Sequence, residues 1–296
     1  MVRSSLILCF LFYPTLAAYA DSCDTAKVTE TATVKGYSFQ AREAQDPDDG
    51  ACMRIYQNGQ VIYQLDDAQK YFLGQPEDRD YGIPHIANGT DLTGTGRPDM
   101  IVVSWSGGAH CCNKHYVFEL APKFRLIIRV DDGDNDLAHF VKLADERSYF
   151  YVTRDIWAYW PGSYASSVSH KVILKWDGNN LVLDPEKLKW KAPSLEQWNA
   201  ALRDADDALK DEGVYTREEL GKTLWDTTLD LIYTGHSDLA WKFVSEVNPK
   251  ALTGNNPSLS EFCSLLKNDE YWPILKATVS GMPKECAEAK PHRPAD

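Results

Sequence analysis

The chain has 296 residues, 43 acidic side chains against 31 basic ones, a formal net charge of −12 and 44% hydrophobic residues. An acidic chain without a run of lysine or arginine lacks the basic surface that nucleic acid or anionic lipid requires. Its length exceeds that of a usual single domain, which predicts two structural units.

At the start, Arg3 precedes an apolar run over residues 6–16, and Ala18-Tyr-Ala20 supplies the small residues that a signal peptidase reads. Residues 1–20 therefore read as a signal peptide cut after Ala20, and the mature chain as periplasmic or secreted. The run is too short for a bilayer span and no later segment approaches about 18 uninterrupted apolar residues, so no transmembrane segment is expected in the mature chain. Six cysteines remain after Cys9 leaves: Cys23, Cys52, Cys111, Cys112, Cys263 and Cys286. An even number in an oxidising compartment predicts disulfides. Proximity in sequence favours Cys23 with Cys52 and Cys263 with Cys286. That leaves adjacent Cys111 and Cys112 as either a vicinal disulfide or thiols open to a metal.

Residues 21–190 read as predominantly β. Short β-branched or aromatic runs lie at 32–39, 52–56, 61–65, 100–105, 115–120 and 125–130, and Asn58-Gly59 supplies the left-handed residues of a two-residue hairpin. Residues 176–183 read as another hairpin. Two acidic loops, at 91–99 and 131–136, lie at ~40-residue spacing, as repeated blade-like β-units would place them. The β half is too short to close a ring of such units, so a compact sheet or an incomplete propeller-like arrangement is expected. Pro185 and Pro193 then bracket a charged connection. Residues 191–296 read as a small α-helical domain, with capping boxes beginning at Ser194, Thr216 and Ser258. One helical stripe runs through Trp198, Leu202, Ala205 and Leu209, another through Leu220, Leu224, Thr228 and Leu231. The fold class is α+β, and the β and helical halves are expected to be separable.

The stretch Asp91-Leu-Thr-Gly-Thr-Gly-Arg-Pro-Asp99 runs into the apolar strand Met100-Ile-Val-Val103 and then Ser106-Gly-Gly-Ala-His-Cys-Cys112. Two acids eight residues apart around a glycine-rich turn either wrap a hard cation or form a turn that needs no ion. The spacing resembles the loop of FG-GAP/VCBS-type β-repeats. That resemblance implies calcium ligands at Asp91, Thr93, Thr95, the Arg97 carbonyl and Asp99. Family loops usually carry Asp or Asn where Thr93 and Thr95 stand, so any calcium binding is expected to be weak. With Trp157-x-Tyr-Trp160 and the strand and turn at 171–178, residues 83–183 resemble exported bacterial proteins that carry such repeats and have no assigned reaction.

Other constellations admit chemistry. His85, His110, Cys111, Cys112 and His115 suit zinc or copper by type, although strand alternation would turn His110 and Cys112 away from Cys111 and His115. Trp157, Tyr159, Trp160 and Tyr164 offer a ligand surface or a core, with alternation placing Trp157 and Tyr159 on one face and Trp160 on the other. No serine has the surroundings of a nucleophile elbow, and no catalytic residue is assigned. The sequence points to an exported binding or interaction module for a protein or glycan partner. A hydrolase with an unplaced site and a transition-metal-handling protein built on His110, Cys111 and Cys112 are the alternatives. Calcium is the one cofactor expected.

Overall fold

The computed structural model describes residues 22–291 apart from 109–111, 134–137, 146, 154, 211–215 and 248–258. The signal peptide, His110, Cys111, Ser258 and half of the second acidic loop lie outside the described residues. The strands are β1 Lys27–Val34, β2 Tyr37–Glu43, β3 Ala51–Gln57, β4 Gln60–Ala68, β5 Lys70–Leu73, β6 Asp99–Trp105, β7 Asn113–Glu119, β8 Arg125–Asp131, β9 His139–Lys142, β10 Ser148–Thr153, β11 Lys171–Trp176 and β12 Leu181–Leu183. They form three four-stranded antiparallel sheets, β1-β2-β3-β4, β5-β6-β7-β8 and β9-β10-β11-β12, each with its strands in chain order and none closed into a barrel.

Turn chemistry sets the hairpins. Asn58 and Gly59, at φ 51° and 79°, join β3 to β4 as expected. Residues 32–39 are not the single strand that their composition predicts. Lys35 and Gly36, at φ 50° and 84°, make the same kind of turn, so Val34 pairs with Tyr37. A lysine in the first turn position hid that hairpin in a run of alternating residues.

The second sheet is buried on both faces. Met100, Val102, Tyr116 and Phe118 pack with Phe39, Met53 and Ile55 of the first sheet. Their neighbours Ile101 and Val117 point the other way, into a cluster with Phe140, Phe150 and Leu174 of the third. Alternation along β6 and β7 thus feeds two cores, and a one-residue slip in register would exchange them. Buried Gln75 ties the second and third sheets together: its amide donates to the Phe140 carbonyl and accepts from the Phe140 N–H, both at 2.7 Å.

The helices are α1 Ser22–Thr25, α2 Pro185–Leu188, α3 Leu195–Lys210, α4 Thr216–Tyr233, α5 Ser237–Glu246, α6 Leu259–Asn268, α7 Trp272–Leu275 and α8 Lys284–Glu288. Ser194 and Gln197 form the reciprocal capping box that starts α3, at 3.2 and 2.8 Å. Cys23–Cys52 ties α1 to β3 across 29 residues, and Cys263–Cys286 ties α6 to α8 across 23. Closing loops of this size removes unfolded-chain entropy worth roughly 3 kcal/mol each. Among the described residues, no helix is long and apolar enough to cross a membrane.

The change from strands to helices falls between β12 and α3, but the apolar core crosses it. Trp225 of α4 stacks on Phe262 of α6 with ring centroids 4.5 Å apart, and Trp157, from the loop after β10, lies 5.2 Å from the same Phe262. These side chains share one cluster with Phe150, Val172 and Leu174. Trp225→Ala is therefore expected to destabilise the whole chain by about 3–5 kcal/mol, the cost of emptying a buried aromatic site. A chain ending at Pro193 should keep a strand signal in circular dichroism but lose the cooperative melt, because α4 and α6 no longer cover Trp157.

Candidate functional site

The 91–99 loop enters β6 at the edge of the buried sheet. Gly94 and Gly96 adopt φ of 70° and 76°, left-handed values that favour glycine. The loop's own N–H groups turn onto its carboxylates. Asp91 accepts from the N–H of Thr95 at 3.1 Å and of Gly96 at 2.7 Å. Asp99 Oδ2 accepts from the N–H groups of Leu92 and Thr93 and from the Thr93 hydroxyl, at 2.9 to 3.2 Å. Thr93 and Thr95 hydroxyls meet at 3.2 Å. Asp99 Oδ1 is buried without a partner. The Arg97 guanidinium points away from the loop, onto Glu119 at 2.8 Å.

Asp99 and Glu119 sit directly opposite each other across β6 and β7, and each is only 1% exposed. Facing carboxylates repel, so the two acids are handled differently. Arg125, at 2.7 Å, and Arg97 hold the Glu119 carboxyl below its usual range despite its burial. Asp99 has only uncharged donors. Burial pushes its carboxyl up to about 6, with the nearby Asp91 charge adding to the rise and the loop N–H groups opposing it. As oxygen donors for calcium, Asp91, Thr93, Thr95 and Asp99 supply two carboxylates and two hydroxyls in one turn, with the orphaned Asp99 Oδ1 the carboxylate oxygen that no donor satisfies.

A cavity lies elsewhere, between the third sheet, the 184–194 connection and α4. Three acid or base side chains of α4, spaced one helical turn apart, hold the segment before β11. Lys222 Nζ donates to the Ser167 carbonyl at 2.6 Å, Asp226 accepts from the Ser169 N–H at 2.7 Å, and Asp230 Oδ1 lies 2.6 Å from His170 Nδ1. This bracing leaves a cleft of about 420 Å³. Its apolar wall includes Tyr151 and Ile173, cross-strand neighbours on β10 and β11, with Trp190 beside them. Its polar groups include Asp230, Gln197 and Thr234. Trp190 is 73% exposed, an unusual position for an indole, while its carbonyl lies 2.9 Å from His236 Nε2. His170 is 5% exposed, and its Nε2 is buried without a hydrogen-bond partner among the described residues.

The aromatic residues singled out in the sequence divide. Residues 155–160 are not a strand but a 3-10 turn and a loop, so alternation does not apply. Trp157 is fully buried and Trp160 packs against the same core, 5.7 Å away. Tyr159, at φ 59°, is held in the left-handed region by its N–H to the Ser167 hydroxyl and is 55% exposed, with its ring 5.6 Å from that of Tyr164. Among the soft ligands, His85 is exposed and His115 is buried 3.2 Å from Asp132. Cys112 is disulfide-bonded and offers no thiolate, and Cys111 lies outside the described residues. Among the described residues, no group of three or more His, Cys, Asp or Glu is placed to hold a metal ion. His170 and Asp230 were missed in the sequence because 60 residues separate them and neither carries a local motif. Searched against protein-family models and against curated proteins, the chain matches none.

Because the Asp99 carboxyl is raised from its ordinary 3.8 to about 6, the folded chain binds an extra proton between those values. Its contribution to stability is full below pH 3.8 and is lost as pH rises through about 6. Carbon-13 NMR of the carboxyl groups should show a titration near pH 6 that disappears in Asp99→Asn and moves down in Asp91→Asn, where one cause of the rise is gone.

Proposed function

We propose that this chain is an exported binding module that takes a small saccharide unit in the cleft between the third sheet and α4. The observation that carries the reading is the exposed Trp190 lining one cleft with Tyr151 and with Asp230, which the α4 bracing fixes. A sugar ring has one face of C–H groups that stacks on an aromatic wall and an edge of hydroxyls that needs donors and acceptors. Asp230, Gln197 and Thr234 supply that edge. Binding is the activity that this reading assigns to the cleft. The FG-GAP/VCBS-like reading of the scaffold rests on the 91–99 loop and the strand that follows it, and the disulfides support an oxidising compartment outside the cytoplasm. Calcium, held by Asp91, Thr93, Thr95, the Arg97 carbonyl and Asp99, would rigidify one loop and take no part in any reaction.

Mature protein applied to an array of neutral and acidic oligosaccharides is expected to give a defined set of ligands. Trp190→Ala should weaken the best of them by at least about tenfold, the scale of losing an aromatic anchor, while leaving the melting temperature unchanged because the indole is solvent-exposed. An array without ligands, or equal affinity in the variant, rules out the cleft.

A further inference from the structure

A second cavity, of about 260 Å³, lies between the glycine-rich loop and the open end of the β10–β11 pair. It is smaller than the ~300–1,000 Å³ of sites that enclose a whole drug-sized ligand, which suits a single chemical group. Its composition departs from that of the chain. In a protein with 43 acids and 31 bases, its walls hold two cations, Arg147 and Lys175, and, among the described residues, no acidic side chain.

The state of each polar group adds to this. Among the described residues, no carboxylate pairs with the exposed Arg147 guanidinium. Of the two acids that precede it in the chain, Glu146 lies outside the described residues, and Asp145 is taken by Lys187 at 2.7 Å and by the Tyr149 hydroxyl at 2.8 Å, which hold its carboxyl down to about 2. Lys175 lies 3.2 Å from buried Asp184, which fixes its ammonium at the cavity wall. Ser148 Oγ, also on the wall, is buried with no hydrogen-bond partner. A hydroxyl buried without a partner costs free energy that an entering acceptor returns. Across from these donors stands Thr93, and the carboxylates of its loop, Asp91 and Asp99, turn onto loop N–H groups.

We propose that this cavity binds an oxyanion group, with the Arg147 guanidinium as the principal donor and Lys175 Nζ and Ser148 Oγ completing the set. Guanidinium and ammonium groups form charge-assisted hydrogen bonds with carboxylate, sulfate and phosphate alike, so the shared chemistry is the anionic oxygen. The site stands apart from the saccharide cleft and does not rest on that reading.

The test uses the full mature chain, titrated separately with sodium glucuronate, sulfate and phosphate at constant ionic strength made up with sodium chloride. Amide shifts of Gly94 and Ser148 and the indole shift of Trp176, which lines the cavity, report occupancy. Saturable shifts are expected with a dissociation constant on the order of millimolar, weakened about tenfold in Arg147→Gln and to a smaller extent in Ser148→Ala. A response to glucuronate alone assigns the site to a carboxylate, and a response to sulfate or phosphate assigns it to a tetrahedral oxyanion. Trp190→Ala should bind the probes unchanged, so failure of the cleft and failure of this site are separately visible. No saturable shift with any of the three probes, or equal affinity in Arg147→Gln, overturns the proposal.

Discussion

Burial of the second sheet on both faces is the constraint from which most of the structure follows. With β6 and β7 apolar toward the first sheet and toward the third, neither face is available to water and the polar ends of the strands have to be satisfied locally. Asp99 and Glu119 stand at that end, opposite each other and buried. Two arginines neutralise one of them, and a turn of N–H groups and a hydroxyl receives the other. The glycine-rich loop is thus as much a device for ending a buried strand as a candidate ion site.

The helices extend the same logic. The third sheet has one face against the second, and its remaining apolar residues need a cover that no fourth sheet supplies. α4 provides it, gripping the backbone before β11 through Lys222 and Asp226 and the His170 side chain through Asp230, while Trp225 reaches Phe262 and Trp160. Flat sheet against round helix leaves a gap near Tyr151 and Trp190, and that gap is the cleft. A stack of four-stranded sheets ended by helices therefore acquires a ligand-sized hollow at the junction of two kinds of packing.

Electrostatics separates the two proposed sites. The cleft mixes Asp230 with basic and neutral polar groups around an aromatic wall, a combination suited to hydroxyls. The smaller cavity brings Arg147 together with Lys175, whose ammonium also pairs with Asp184, while the neighbouring Asp145 is held by Lys187. In an acidic protein, selectivity for an anion needs this kind of local exception, because the overall charge repels the ligand at long range.

Local chemistry in the sequence was enough to place the Asn58-Gly59 hairpin, the Ser194 capping box, the order of strands before helices and the partners of Cys23 and Cys263, since each depends on residues close along the chain. It also singled out the 91–99 loop, whose glycines carry the left-handed conformation in their identity. Where a turn used Lys35, or where Tyr159 took a left-handed φ and sent Trp160 inward, the local signal was absent and the expected strand was wrong. The His170–Asp230 pair, the shared core of Trp157, Trp225 and Phe262, and the Arg147–Ser148–Lys175 cavity were decided only in three dimensions. Each joins residues far apart in the chain whose identities are ordinary taken singly. Periodicity reports which face of an element is apolar, but which elements meet, and what gap they leave, depends on how the buried faces of all of them are covered at once.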